Sequence, residues 1–346
     1  MPERIISADS HMLVTDERIL AHLPPGHHEA FRQVQGPPAP SRPDPDSGVT
    51  LPAVGRPGEW DPVERLKDMD LDGVDAEVLY TDTAAGSSYY TLPADACLAV
   101  FQAHNTAALE FSSLDPKRLL PVYLLPLHDM DAAIAEAERI ANEGGRAVQI
   151  PLYPTAAKLK PYYDRSYDPL WSALEACQLP VSLHVVPPTG VGLGRDPTPA
   201  RGIFQSVPPI FMALPMTEII VSGVFTRHPN MHVIMVESGL AWIPFMLDRL
   251  DRVYHKSRWK DRGMPLDELP SYYWQHNMGA TFEEDELGLE LRHHIGVDNM
   301  FWATDYPHPD STWPESQRVV SEQFASCDEQ ERDKMICDNA ARVYQL

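Results

Sequence analysis

Asp305 closes the apolar run Phe301-Trp302-Ala303-Thr304 and is followed by Tyr306-Pro307-His308-Pro309, a proline-flanked turn that carries a histidine. Near the other end of the chain, Ile5-Ile6-Ser7-Ala8 leads into Asp9-Ser10-His11. A third run, Leu179-Pro180-Val181-Ser182-Leu183, ends in His184. Each reads as a short buried strand that delivers a metal-binding side chain at its C-terminal end. On a straight strand Asp9 and His11, two apart, face the same side. With His184 and Asp305 they make a nitrogen-and-oxygen donor set that suits zinc, iron or manganese, and no thiolate favours a softer ion. Glu237, at the end of Met231-His232-Val233-Ile234-Met235-Val236, has two readings. It bridges or binds a second ion, giving one or two divalent metals per chain, or it caps a helix that begins near Leu240. His308 ligates, donates a proton to a leaving group, or stacks in its turn.

The elements that must position these groups alternate along the sequence. Strand-like runs follow at Asp75 to Thr81, Leu119 to Leu124, Arg146 to Ile150, the His184 run, Met231 to Glu237, Asn277 to Ala280 and the Asp305 run. With the first, that makes eight. Asp131 to Asn142, Tyr167 to Gln178 and Glu283 to His294 have helical character. Short apolar runs suit parallel strands buried on both faces. Eight of them alternating with helices predict an α/β fold, a (β/α)8 TIM barrel with its site at the C-terminal ends of the strands. A doubly wound open sheet is the alternative. The chain is expected to form one domain over 1–346, with a proline-rich irregular insertion at about 22–60 and a loop insertion at about 187–215. Both leave the C-terminal face, where long loops shape a pocket or an oligomer contact.

Tyr80, Tyr153, Phe204, Phe211, Trp242 and Trp313 are pocket candidates at strand ends and loops, and they suit an aromatic or bulky acyl substrate. Core packing competes in each case, most of all for Trp242. Arg195 and Arg201 could clamp a substrate carboxylate or phosphate, against a plain surface role. His104 is read as a packing residue. His228, in the loop before the sixth strand, is placed at the opposite end of the barrel.

The formal net charge is −22. Nucleic acid and anionic membranes need basic surface, so both are poor partners. Cys97, Cys177, Cys327 and Cys337 lack CxxC spacing and read as reduced core thiols. No N-terminal signal pattern is visible and no apolar run approaches 18 residues, so a cytoplasmic protein with no membrane span is expected. Its expected partners are a small-molecule substrate and a second copy of the chain in a homodimer.

Several segments together carry a family resemblance. They are Asp9-Ser10-His11, Gly223-Val224-Phe225-Thr226-Arg227-His228-Pro229-Asn230, Val236-Glu237-Ser238-Gly239-Leu240-Ala241-Trp242-Ile243-Pro244, Ala303-Thr304-Asp305-Tyr306-Pro307-His308-Pro309 and Asn339-Ala340-Ala341-Arg342-Val343-Tyr344. The chain resembles the amidohydrolase superfamily, in the amidohydrolase-related branch that includes decarboxylases similar to aminocarboxymuconate-semialdehyde decarboxylase. The resemblance implies a barrel with metal at its mouth and assigns ligand roles to Asp9, His11, His184 and Asp305. Three departures stand out. The first strand has Asp9 where many members have histidine. The fourth strand ends at Gln149-Ile150-Pro151, without the lysine that bridges metals in many hydrolases. The sixth has Glu237 where the decarboxylases typically carry histidine.

Three functions follow. In a metal-dependent hydrolase, a metal-bound water attacks an amide, ester or thioester, Asp305 takes its proton and His308 or a second metal polarises the carbonyl. In a non-oxidative decarboxylase, one metal holds the substrate carboxylate and an acid protonates the carbon. In a binding protein the site is degenerate, which the full donor set argues against. A carboxylate at 237 is a poor acid unless burial raises its pKa, and carboxylate-rich sets favour two metals. Hydrolysis is therefore the expected chemistry, with decarboxylation the alternative.

Overall fold

The computed structural model describes residues 4–34, 53, 55–81, 83–186, 202–203, 206–257 and 263–346. Nine parallel strand segments lie in the expected order: β1 (Ile6–His11), β2 (Ala76–Tyr80), β3 (Leu119–Pro121), β4 (Tyr123–Leu124), β5 (Val148–Gln149), β6 (Val181–His184), β7 (Val233–Val236), β8 (Met278–Phe282) and β9 (Met300–Trp302). β1–β2–β3 form one hydrogen-bonded sheet and β4 to β9 another. β3 and β4 divide a single extended stretch. Its first half pairs with β2, the Val122 amide donates to the Leu79 carbonyl at 2.9 Å, and the second half pairs with β5. The expected eight staves are thus present. The ring is completed where the Asp305 amide donates to the Asp9 carbonyl (2.9 Å) and the His11 amide to the Tyr306 carbonyl.

Inward residues of the staves form one dry cluster: Ile6, Ala8, Ala76, Val78, Tyr80, Leu120, Val122, Ala147, Ile234, Val236 and Phe301. Ala340, Val343 and Tyr344 of the C-terminal helix Asn339–Tyr344 join it and seal one end of the ring. The outward residues of the same strands, among them Leu79, Val148, Val181, Leu183, Val233 and Met235, join the larger cluster shared with the surrounding helices. Such two-sided burial explains why the strands read as continuous apolar runs.

Several boundaries differ from the sequence expectation. The stretch from Glu283 contains two short helices, Glu286–Glu290 and Arg292–Ile295, because Asp285 caps the Gly288 amide at 2.7 Å and starts the helix there. His276 lies on helix Pro270–Asn277 and stacks on Tyr272 with ring centroids 3.9 Å apart. The first insertion is not wholly irregular: residues 28–34 are helical and Pro57–Glu59 form a 3-10 turn, whereas its proline clusters at 36–45 lie outside the described residues. The described end of the second insertion is helical from Pro208. Against the expectation of no long apolar run, Pro208–Arg227 is long and apolar enough to cross a membrane by length and composition. It is broken into three short helices, and Met212, Met216, Ile219, Ile220, Val224 and Phe225 bury it against the core. All four cysteines are free thiols.

Candidate metal centre

β1 bears a register shift between Ser7 and Ser10. Ile6 and Ala8 pack inside the ring, so a straight strand would turn Asp9 and His11 outward. The extra residue resets the alternation and lets both side chains reach the mouth. The Ser7 and Ser10 hydroxyls stabilise the irregularity by bonding one another (3.0 Å) and Thr304 Oγ1 (3.1 and 2.9 Å). Asp305 and Glu237 sit just beyond β9 and β7 with left-handed backbones, φ 52° and 55°. Non-glycine residues rarely adopt this conformation, and where they do it marks over-determined, often functional positions.

The side chains converge. His11 Nε2 is 3.2 Å from Asp305 Oδ1 and 3.7 Å from Asp9 Oδ1, and His184 Nε2 is 3.6 Å from that same Asp9 oxygen. Donors held about 2.1 Å from one ion sit roughly 3–3.5 Å apart, so the spacing fits a shared cation. Asp9 Oδ1, His11 Nε2 and His184 Nε2 are buried and have no hydrogen-bond partner in the protein. Buried polar atoms of this kind are costly unless something fills the gap, and a divalent cation fits all three at once. Burial, aided by the nearby His308 charge, pushes the His11 pKa down to about 3, and burial also lowers that of His184. Both rings are therefore neutral, as metal ligands must be.

A second group shares His11. Its ligand atoms, with those of Glu237, Asp305 and His308, all lie within 4.8 Å of one another. His308 donates through Nδ1 to the Asp305 carboxylate at 2.9 and 3.0 Å, and its ring lies over that of His11, centroids 4.0 Å apart. Burial would lower the His308 pKa, but the charge of Asp305 and the hydrogen bond to it prevail and raise it to about 10. Asp305 responds in kind: burial would raise it, yet the His308 charge and its hydrogen bond, with His11 close by, hold it well below the usual carboxylate range. Burial, then the Asp305 charge, raises Asp9 and Glu237 well above that range.

Glu237 is not the helix cap. The Leu240 amide donates to Asp285 Oδ2 at 2.7 Å, while the Glu237 amide donates to Thr281 Oγ1 at 2.7 Å and its carboxylate faces His184 Nδ1 at 3.8 Å. Among the pocket candidates, Tyr80 belongs to the ring interior, fully buried, with its hydroxyl 2.9 Å from Ser182 Oγ. Trp313 is a wedge against Tyr306 and donates to the Asp68 carbonyl at 3.0 Å. Both are buried in the core, and Tyr80 packs against the rings of His11 and His184. Trp242 is half-buried and donates to the Ser238 carbonyl at 2.7 Å, beside Glu237. Tyr153 is half-buried with an unpartnered hydroxyl, and Phe211 is partly exposed at the end of helix Pro208–Phe211. Phe204, Arg195 and Arg201 lie outside the described residues. His104 packs in the core against the Tyr89 hydroxyl, and His228 faces Asp168 and Glu175 away from the metal donors.

Two features escaped the sequence reading. The inward positions of β8 are Gly279 and Thr281, since Met278, Ala280 and Phe282 join the outer cluster, and Glu283 follows one residue past the strand. Thr281 Oγ1 lies 3.4 Å from Asp9 Oδ2, and Glu283 Oε1 is buried without a partner. Burial and the charges of Asp305 and Asp9 raise the Glu283 pKa. Period-two alternation continued one step past the strand would have found it. The other is Arg65, wholly buried and paired with Glu77 at 2.5 Å, whose guanidinium also donates to the His11 carbonyl at 2.8 Å.

Comparisons with known proteins agree with this architecture. The chain is 26% identical over 265 residues to decarboxylase orsB of Emericella nidulans, covering 70% of this chain and 73% of the relative. It is 25% identical over 307 residues to gamma-resorcylate decarboxylase of a Rhizobium species, covering 82% and 86%. The crystal structure of 5-carboxyvanillate decarboxylase from Novosphingobium aromaticivorans, complexed with manganese and 4-hydroxy-3-methoxy-5-nitrobenzoic acid, superposes with a TM-score of 0.74 at 18% identity, covering 99% of this chain and 96% of that one. The expectation of hydrolysis is overturned by these relatives, which are decarboxylases. A family model described as Amidohydrolase matches residues 8–346, and the chain belongs to that family of enzymes.

Proposed function

We propose that this chain is a metal-dependent, non-oxidative decarboxylase of an aromatic or unsaturated carboxylic acid. The observation that carries the reading is the His308–Asp305 pair beside three unpartnered donors. Asp9, His11, His184 and Asp305 would hold one divalent ion, with manganese favoured by the resemblance to the manganese-bound relative. The ion, when bound, would supply a fixed positive charge that draws in the substrate carboxylate and a neighbouring oxygen. Decarboxylation also needs an acid. The sequence reading allowed an acid at position 237 only if burial raised its pKa, which it does, but we assign the role to His308. The Asp305 carboxylate beside it favours the charged imidazole. His308 would give its proton to the carbon that bears the carboxylate. The carbon–carbon bond then breaks, its electron pair stays on the substrate, and carbon dioxide leaves. With 40% of its side chain exposed, His308 can regain a proton from solvent.

The test is to load the protein with manganese and incubate it in deuterated, oxygen-18-labelled water. The panel comprises hydroxybenzoates, aminobenzoates, unsaturated dicarboxylic acids, aryl esters and aryl amides. Release of carbon dioxide with a deuteron on the vacated carbon is expected. Labelled oxygen in an acid product, with no carbon dioxide from any acid, would overturn the reading.

A further inference from the structure

The metal donors do not account for Glu283. It lies one residue past the end of β8, two on from the inward Thr281, which is already in contact with Asp9. The charges of Asp305 and Asp9 act on it, in keeping with a place near the mouth. Its Oε1 is buried and unpartnered. Neither group of candidate ligands includes it. Its neighbours do not need it either, since Asp285 caps the following helix and Gln323 Nε2 bonds only the Glu283 backbone carbonyl (2.9 Å). A buried carboxyl oxygen beside a substrate site is a cost to the fold unless the substrate completes it.

We infer that Glu283 is a specificity-determining residue whose Oε1 accepts a hydrogen bond from an O–H or N–H donor on the substrate, away from the carboxylate that is lost. Both carboxyl oxygens accept when the group is ionised, and the carbonyl oxygen still accepts when it is protonated. The inference rests on the decarboxylase reading for what the pocket holds, and it narrows the substrates to acids that carry a hydroxyl or amino group. Removing the donor from such a ligand leaves a buried acceptor unpaired, which is how a polar pocket rejects an apolar analogue.

The manganese-loaded protein and its Glu283→Leu and Glu283→Gln variants are titrated calorimetrically with benzoate, the three monohydroxybenzoates and the three aminobenzoates, and metal content is measured for each. The wild type should bind at least one donor-bearing acid about tenfold or more tightly than benzoate, the size of one well-made hydrogen bond. In Glu283→Leu that ratio should collapse to about unity, with benzoate binding and manganese content retained. Glu283→Gln, whose amide oxygen still accepts, should keep part of it. A ratio that survives in a fully metallated Glu283→Leu protein overturns the inference, as does a wild type without the preference. No binding by any benzoate overturns it too, while carbon dioxide release from the unsaturated acids still decides the decarboxylase reading separately.

Discussion

At the scale of single residues, the site divides into donors that have no partner in the protein and a histidine that has a strong one. His184 lies in the first class. Replacing it with alanine should lower bound manganese several-fold while the fold persists, since its Nε2 makes no other bond. Metal analysis beside circular dichroism checks this, and full occupancy in the variant would remove His184 from the shell. His308 is in the second class. As the proton donor it should contribute roughly a hundredfold to kcat, so His308→Gln should lose about that much while keeping its metal. The sign of the pH dependence follows from the pair. Asp305 raises the His308 pKa to about 10, so the charged, active form persists through neutrality and the rate falls as pH rises into the alkaline range. That alkaline limb should vanish from the residual activity of His308→Gln. An unchanged limb would move the proton donor elsewhere, with Glu237 the next candidate.

Among the elements, strand ends were legible in the sequence because a polar residue closing an apolar run is hard to hide, as at His184 and Asp305. What was not legible depended on contacts remote in the chain. The β1 register shift is held by Ser7, Ser10 and Thr304, nearly 300 positions apart, and no local pattern announces it. The helix after Glu237 begins only at Ile243, and the Leu240 amide bonds Asp285 on the neighbouring strand's loop, so the local rule that offered Glu237 as a cap missed a partner remote in the chain. The support beneath β1 is of the same kind. Arg65, on helix Pro62–Asp72, reaches across to Glu77 on β2 and to the His11 and Gly58 carbonyls. Arg65→Met should cost about 3–5 kcal/mol in denaturant unfolding, because it strands a buried carboxylate. Manganese affinity should fall with it, because the backbone that aims His11 loses its anchor. Adding Glu77→Leu should restore much of the stability but not the affinity. Recovery of both would mean that Arg65 acts on the fold alone.

For the molecule as a whole, the ring must hold its first and last units together, and Asp72 does so from the end of helix Pro62–Asp72. Its Oδ1 accepts from the Ser316 amide (2.9 Å) and its Oδ2 from the Ser316 hydroxyl (2.6 Å), at the start of helix Ser316–Gln323. Asp72 is 3% exposed, and burial pushes its pKa up to about 6 despite both bonds. An unfolded aspartate titrates near 3.9, so between about pH 4 and 6 the folded chain binds a proton that the unfolded chain has lost. This group's contribution is therefore most favourable below pH 4 and is lost as pH rises through 6. Above that, the buried charge costs on the order of 3 kcal/mol. Asp72→Asn removes the titration while its amide oxygen can still accept from Ser316. The difference in unfolding free energy between variant and wild type should shift in the variant's favour, by up to about that amount, as pH goes from 4 to 7. Urea unfolding of both proteins at matched pH and metal concentration measures it. A difference that stays flat, or that moves toward the wild type as pH rises, would mean that Asp72 is ionised in the fold throughout and that its bonds to Ser316 outweigh its burial.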